Sequence, residues 1–352
     1  MSERAAKGIS VLLQGSNVRT RIVLTVAGLA GLAVAIALVV HSGLHGVVHV
    51  LAHGGWALLW LIPFHLFPIV LDASGWRVLL RGQRKATLPF LVWVASVRDS
   101  INNLLPVARV GGEVAGVRLL MLREISGMEA AASIIVEITL TLIVQILFTL
   151  IGITILLDFL GRYDIARYLF LTLSISIPVV ALFLRVQRRH GLFESIARLI
   201  ALATRNKELP GIDDSRRLDC RIQALYRDPV ALLRTAVWQA AGLVAGAAEL
   251  WFALYLLGYT QNALAALFLE SLAQAIQAVS FFVPAGLGVQ EGGFMFLGSV
   301  LGLPPDVSLA LSLARRLRQL GFGIPALISW QWVEARHLRR NLRNRGPQMP
   351  LN

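Results

Sequence analysis

The chain has 352 residues, of which 56% are hydrophobic and only 15% charged, with a net charge of +13. A soluble protein carries about 25% charged residues, so this composition, with a mean hydropathy of +0.69, excludes an ordinary water-soluble globule. The apolar residues run in long uniform segments, which excludes the short alternating strands of a membrane barrel and predicts an all-α polytopic membrane protein. A basic tail, residues 1–21, precedes "IVLTVAGLAGLAVAIALVV", Ile22 to Val40, which has no charge. It meets the roughly 18 apolar residues a membrane span needs and is too long for a cleaved leader, so it is expected to be a retained anchor.

His41, His45, His49 and His53 follow at four-residue spacing, which puts them on one broad helix face. Imidazoles so spaced can bind zinc. No carboxylate lies nearby in sequence, so the expectation is a half-hydrated interfacial face and no metal. A second span covers about Val50 to Leu71, and Arg77 to Lys85 is basic. Leu88 to Pro106 begins apolar and turns polar at Arg98, Asp99, Asn102 and Asn103. "PVARVGGEVAGVR", Pro106 to Arg118, interrupts it, and a short helix from Glu113 to Arg123 follows.

Further spans are predicted over about Met128 to Leu157 and Ala166 to Leu184. Arg185 to Arg234 is polar and holds 11 Lys/Arg. Within it Glu194 to Arg205 has amphipathic spacing, which fits either a helix on the membrane surface or a solvated linker. A fifth span covers about Thr235 to Leu257; its Gln239 and Glu249 either line a cavity or pair between helices. Ala263 to Val283 leads into "PAGLGVQEGG", Pro284 to Gly293, and a short helix to Leu301. The last span is about Pro305 to Trp332, before a basic tail, residues 336–352. The lone Cys220 excludes an intramolecular disulfide and a cysteine metal cluster.

The basic residues sit beside the apolar runs, as orientation signals do. This argues for topology and contact with anionic lipid, and against a nucleic-acid partner. With the N-terminus in the cytoplasm, segments 1–21, 72–87, 185–234 and 333–352 hold 24 Lys/Arg, against two, Arg162 and Arg167, outside. The positive-inside rule then puts both termini on the cytoplasmic side of the membrane.

Aligning Pro106 with Pro284, an offset of 178 residues, places Glu113 on Glu291 and Glu137 on Arg315. Gly111 and Gly112 precede the first glutamate and Gly292 and Gly293 follow the second, with Gly286 and Gly288 in the second turn. Each half, about 22–157 and 166–332, then reads span, span, hairpin, span. Three full spans per half invert the second half. The expected architecture is therefore six full transmembrane helices plus two opposed re-entrant hairpins turning at the two prolines. Broken helices in inverted repeats mark transporters, with substrate at the repeat interface.

The paired motifs "P-x-x-R-x-G-G-E-x-x-x-x-R" and "V-P-A-G-L-G-V-Q-E" resemble those of the lysylphosphatidylglycerol synthase transmembrane-region, or flippase-like, family. The resemblance covers about residues 20–335, in one flippase-like domain spanning 22–335, and its size suggests the hopanoid-biosynthesis-associated branch. Some members fuse this portion to a soluble aminoacyl-transferase domain, and the polar segment here is too small for one. The resemblance therefore implies translocation of an amphiphilic phospholipid, glycolipid or hopanoid rather than its aminoacylation. No ATP-binding loop or nucleophile elbow is present, and neither a cofactor nor an enzymatic activity is expected. The alternatives are an intramembrane lipid-modifying enzyme and a scaffold for partner lipid-biosynthesis enzymes.

Intramembrane arginine is a functional signal by default. Arg315, Arg316 and Arg318 are expected either to hold a headgroup or to pair with Glu137, Glu113 or Glu291. A polar or anionic headgroup is favoured, because Arg316 and Arg318 supply more positive charge than one glutamate can neutralise. Glu113 and Glu291 either cap helix starts or act as gate or proton-coupling groups. Arg109 and Arg118 flank Glu113 and either pair with it or touch headgroups. Reporter fusions at Gly161 and Asn352 should lie on opposite sides of the membrane; an external C-terminus contradicts the inverted repeat.

Overall fold

The computed structural model describes residues 49, 51–105, 111–160, 212–259, 262–279 and 288–344. The first and fourth expected spans, the Glu194 to Arg205 stretch, His41, His45, Pro106, Arg109, Pro284 and Gly286 lie outside the described residues. All regular structure among the described residues is helical. The elements are α1 (Leu51–Leu79), α2 (Leu88–Leu104), α3 (Gly111–Leu122), α4 (Gly127–Leu160), α5 (Ile212–Tyr226), α6 (Pro229–Leu256), α7 (Ala263–Val279), α8 (Val289–Val300) and α9 (Pro305–Asn344).

Several helices outrun the sequence-based expectation. The second span continues from Leu71 to Leu79 because Ala73, Gly75, Trp76 and Leu79 are buried while Arg77 points outward. Its start is tighter, with a 3-10 stretch at Gly55–Trp60. The fifth helix starts at Pro229, six residues before Thr235. The Asp228 side chain caps it by accepting the Ala231 N–H at 2.9 Å, and proline suits a first turn whose N–H groups lack intrahelical partners. Inside the segment expected to be a polar loop, α5 lays Leu218, Ile222 and Leu225 against Leu79, Ala132, Val136 and Leu140. That stripe has helical spacing, hidden by the polarity of the residues around it.

By length and composition α1, the first 28 residues of α4 and α6 suffice to cross a membrane. The longest helix, α9, interrupts its apolar stretch with Arg315, Arg316 and Arg318. The short helices α2 and α3 pack on each other, as do α7 and α8. At 17 and 12 residues the members of the first pair are about 26 and 18 Å long, short of the roughly 30 Å hydrocarbon layer.

The pairing of helices is matched between the two halves. α1 packs on α6 most extensively; α2 packs on α9 and α7 on α4; α1 meets α2 as α6 meets α7; α3 meets α4 as α8 meets α9. Close approach of α3 to α2 depends on Gly112. A β-carbon there would stand 2.5 Å from the Arg98 carbonyl oxygen and 2.6 Å from Asn102 Oδ1.

The core around α2 is built on Trp76, which is fully buried. Its ring N–H donates to Ser133 Oγ at 3.1 Å, and the Arg98 guanidinium lies 4.7 Å above the ring. Truncation Trp76→Ala is expected to destabilise the purified protein by about 3–5 kcal/mol. Trp251, 42% exposed on the outer face of α6, should tolerate alanine within about 0.5 kcal/mol. Thermal unfolding in one detergent compares the two.

Candidate functional site

Charged side chains lie inside this apolar bundle, and each needs an answer, since an ionisable group in hydrocarbon costs several kcal/mol unless paired or wet. The first set gathers around Arg98 on α2. Its Nη1 donates to Glu137 Oε2 on α4 at 2.7 Å, and its Nη2 donates to Glu113 on α3. Asn102, one turn further, donates from Nδ2 to Glu113 Oε1 at 3.2 Å and accepts the Gly112 N–H at 3.0 Å. The glycine that admits α2 to α3 thus also supplies a donor to the network.

The second set joins α7, α8 and α9. Arg315 Nη1 and Nη2 donate to Glu270 Oε2 and Oε1 at 2.5 and 3.2 Å, a two-pronged match of guanidinium to carboxylate. Arg316 Nε and Nη2 donate to Glu291 Oε1 at 3.0 and 2.8 Å. The other oxygen of Glu291 accepts the Gly288 N–H at 2.7 Å, so this glutamate both caps α8 and neutralises an arginine.

The third set spans both halves. Arg318 Nε on α9 lies 3.1 Å from Glu249 Oε1 on α6. The His65 ring on α1 sits between them, with Nδ1 2.9 Å from Glu249 Oε2 and Nε2 3.5 Å from Asp99 Oδ2 on α2. Arg318 Nη1 abuts the same ring, 2.8 Å from Nε2, and the Phe322 ring meets His65 edge-on at 5.0 Å.

These side chains surround a cavity of ≈ 130 Å³ that receives His65, Asp72, Asp99, Glu249, Glu270, Arg315 and Arg318. Its polar lining comes from α1, α2, α6, α7 and α9. Asp72 on α1 is set against Gly242 on α6, where any β-carbon would collide with the carboxylate. Among the described residues no hydrogen bond or ion pair reaches the Asp72 carboxylate. Four carboxylates therefore face two guanidiniums and one imidazole.

Arg315, Arg316 and Arg318 each meet a carboxylate, and the surplus of arginine inferred from sequence is absorbed by Glu270 and Glu249. Glu137 and Arg315 do not pair with each other: the former answers Arg98, the latter Glu270. Arg118 turns away from Glu113 to Glu334 on α9, with contacts of 2.5 and 2.8 Å. Gln239 is buried and reaches the Glu137 carbonyl oxygen at 3.4 Å. Gly111, Gly112 and Gly288 lie at the starts of α3 and α8. His49 and His53 are exposed. His65, Asp72 and Glu270 were not singled out from sequence, although an ionisable residue inside an apolar run is itself a signal.

With this geometry in view, the comparison with known families is informative. The model of the lysylphosphatidylglycerol synthase TM region matches residues 26–326. The chain belongs to this family. Membership makes it an integral membrane protein with a lipid-related function, and the matched range includes α1 to α8 and the part of α9 that carries Arg315, Arg316 and Arg318. No curated protein sequence matches the chain.

The ion-pair partners make a direct test. Removing one member of a buried pair costs about 3–5 kcal/mol because the other is stranded. Arg315→Gln should lower stability by that order, and Arg315→Gln with Glu270→Gln should recover much of it. Combining Arg315→Gln with Glu137→Gln should instead be worse than either alone, because Arg98 then loses a partner too. Recovery in the second pair rather than the first would reassign the contacts.

Proposed function

We propose that the protein moves an amphiphilic lipid between the leaflets of the bacterial inner membrane without hydrolysing ATP. The observation that carries this reading is the polar cavity at the junction of α1, α2, α6, α7 and α9, which brings ionisable groups from both halves to one place. A purely structural bundle in hydrocarbon gains nothing from an unpaired carboxylate such as Asp72. A headgroup crossing the membrane needs such groups to replace its lost water.

In this proposal the two halves are an inverted repeat, supported by the matched helix pairing and by the 178-residue offset of Glu113 and Glu291. The pairs α2/α3 and α7/α8 are the re-entrant hairpins, too short to cross. The six full spans comprise α1, α4, α6, α9 and the two apolar runs at 22–40 and 166–184. The basic segments then lie in the cytoplasm with both termini. A cavity of ≈ 130 Å³ has room for about four waters, less than a lipid headgroup needs. Passage therefore requires one half to rock against the other, as alternating access does in other inverted repeats.

The charge of the lining bears on the substrate. Asp72, Asp99, Glu249 and Glu270 outnumber Arg315 and Arg318, which are already matched. Such a surface favours a headgroup rich in hydrogen-bond donors, an ammonium or a set of hydroxyls, over a bare anion. The amine-bearing lipid in the family's name has that character, and a polyhydroxylated glycolipid or hopanoid shares it.

Liposomes containing the purified protein and an aminoacyl phosphatidylglycerol separate the readings. A membrane-impermeant amine reagent should reach the inner-leaflet lipid pool in protein-containing vesicles, with the lipid's mass unchanged. A changed lipid mass indicates an enzyme; no effect leaves the scaffold. Asp72→Asn should fold normally, since no partner among the described residues is stranded, and should slow labelling about tenfold, one lost charged contact's worth. Wild-type rates in a stable Asp72→Asn protein would remove the cavity from the path.

A further inference from the structure

Away from the central cavity the bundle has a second opening, ≈ 560 Å³, between the start of α2, the end of α3 and the outer part of α9. It shares no residue with the cavity just described. Phe90, Trp93 and Trp332 form much of its apolar wall. Trp93 is held in place by donating its ring N–H to Ser329 Oγ at 2.9 Å. The polar lining holds Arg123, just past the end of α3, and Arg336 from α9, with Thr87 and His337 beside them.

Neither guanidinium meets a carboxylate among the described residues. Their acidic sequence neighbours are engaged elsewhere: Glu124 accepts from Lys85, and Glu334 holds Arg118. Each arginine instead lies over an aromatic ring of the same opening. Arg123 Cζ is 4.6 Å from the Phe90 centroid and Arg336 Cζ is 3.4 Å from that of Trp332. Cation–π contact orients the charge and leaves its N–H fork unsatisfied. The arrangement is a pair of unspent phosphate ligands at the mouth of a greasy slot.

We propose that this opening binds a membrane phospholipid with an anionic headgroup, the phosphate on Arg123 and Arg336 and the upper part of one acyl chain along Trp93 and Trp332. Charge complementarity supplies the first half of the argument, because guanidinium forks match phosphate oxygens. The aromatic walls supply the second, because a free phosphate ion would leave them wet. Basic pockets between membrane helices hold anionic headgroups by the same physics, and tryptophan is at home at headgroup depth. The bound lipid would bridge α2, α3 and α9, an anchor rather than cargo. The proposal stands independently of translocation, since its ligand is the anionic kind that the central cavity disfavours.

Native mass spectrometry of the full chain, exchanged into detergent and titrated with phosphatidylglycerol or phosphatidylcholine of identical acyl chains, tests it. Phosphatidylglycerol should be retained about thirtyfold more tightly, the effect of two interfacial arginines. Arg123→Gln with Arg336→Gln should abolish the preference. Both arginines are exposed, so no buried partner is stranded. The pair Arg123→Lys with Arg336→Lys, which keeps charge but loses the fork, should keep part of the preference and serves if the glutamine pair misfolds. Exposed Arg84 and Arg339 lie outside the opening, and changing both to Gln should leave the preference intact. Equal loss in that control pair would mean diffuse surface attraction and would overturn the proposal. So would the absence of any preference in the unaltered protein, or displacement of the lipid by millimolar inorganic phosphate.

Discussion

An arginine placed inside a membrane bundle has to bring its anion with it, and that requirement links helices from every part of this bundle. Lipid tails are as apolar as leucine, so burial of apolar surface gives little drive for one spanning helix to join another. Here Arg98 ties α2 to α3 and α4, Arg315 ties α9 to α7, Arg316 ties α9 to α8, and Arg318 ties α9 to α6 and, through His65, to α1. The apolar contacts fill the space that these ties define. Small residues let the ties close: α3 reaches α2 because Gly112 has no side chain, and Asp72 fits beside α6 because Gly242 has none.

The two halves solve the same problem with the charges exchanged. Glu137 on α4 and Arg315 on α9 occupy matching sequence positions and carry opposite signs. Each is answered from the first short helix of its own half, by Arg98 on α2 and by Glu270 on α7. The glutamates Glu113 and Glu291, by contrast, keep their sign. One arginine must then serve both Glu113 and Glu137 in the first half, whereas Glu270 and Glu291 have an arginine each in the second. Asn102, a neutral donor, supplies Glu113 with its second contact.

Much of this was legible in the sequence, and the misses have physical causes. Helix class, the spans within α4 and α6 and the short helices after each glycine-rich turn followed from hydropathy and turn residues. The offset that pairs Glu113 with Glu291 and Glu137 with Arg315 was visible as spacing alone. Who bonds whom was not, because partners such as Arg98 and Glu137, or His65 and Arg318, are set by helix crossing, which a linear pattern does not encode. His65 was passed over because it is isolated in a run that reads as an ordinary span, and Asp72 because it falls just past the end assigned to that span. Helix α5 was passed over because its three core residues are diluted by charge. The early end assigned to α1 has a similar source: Arg77 looked like the membrane boundary, yet it projects from the outer side of a turn whose inner side is the buried Trp76.

Charge separates the two openings of the bundle. The central cavity has more carboxylates than guanidiniums, and its arginines are matched; the outer opening has arginines that are not. A phosphate would meet only matched arginines in the first and would be drawn to the second by Arg123 and Arg336. A group rich in donors would be sorted the other way. A phospholipid with a cationic extension on its phosphate carries both kinds of group, but its phosphate remains near the glycerol while the extension projects beyond it. Such a molecule can place its extension among the carboxylates only if the phosphate finds cover elsewhere, and within the cavity that cover would have to come from Arg315 or Arg318. Each of these is bound to a glutamate, Glu270 or Glu249, that also faces the cavity. On the proposed reading, a donor-rich extension that engaged those glutamates would loosen their hold on the arginines and turn the guanidiniums toward the phosphate. The internal ion pairs would then be exchangeable: a headgroup bearing both charges would replace each partner's partner, so the pairs would open without leaving either charge bare.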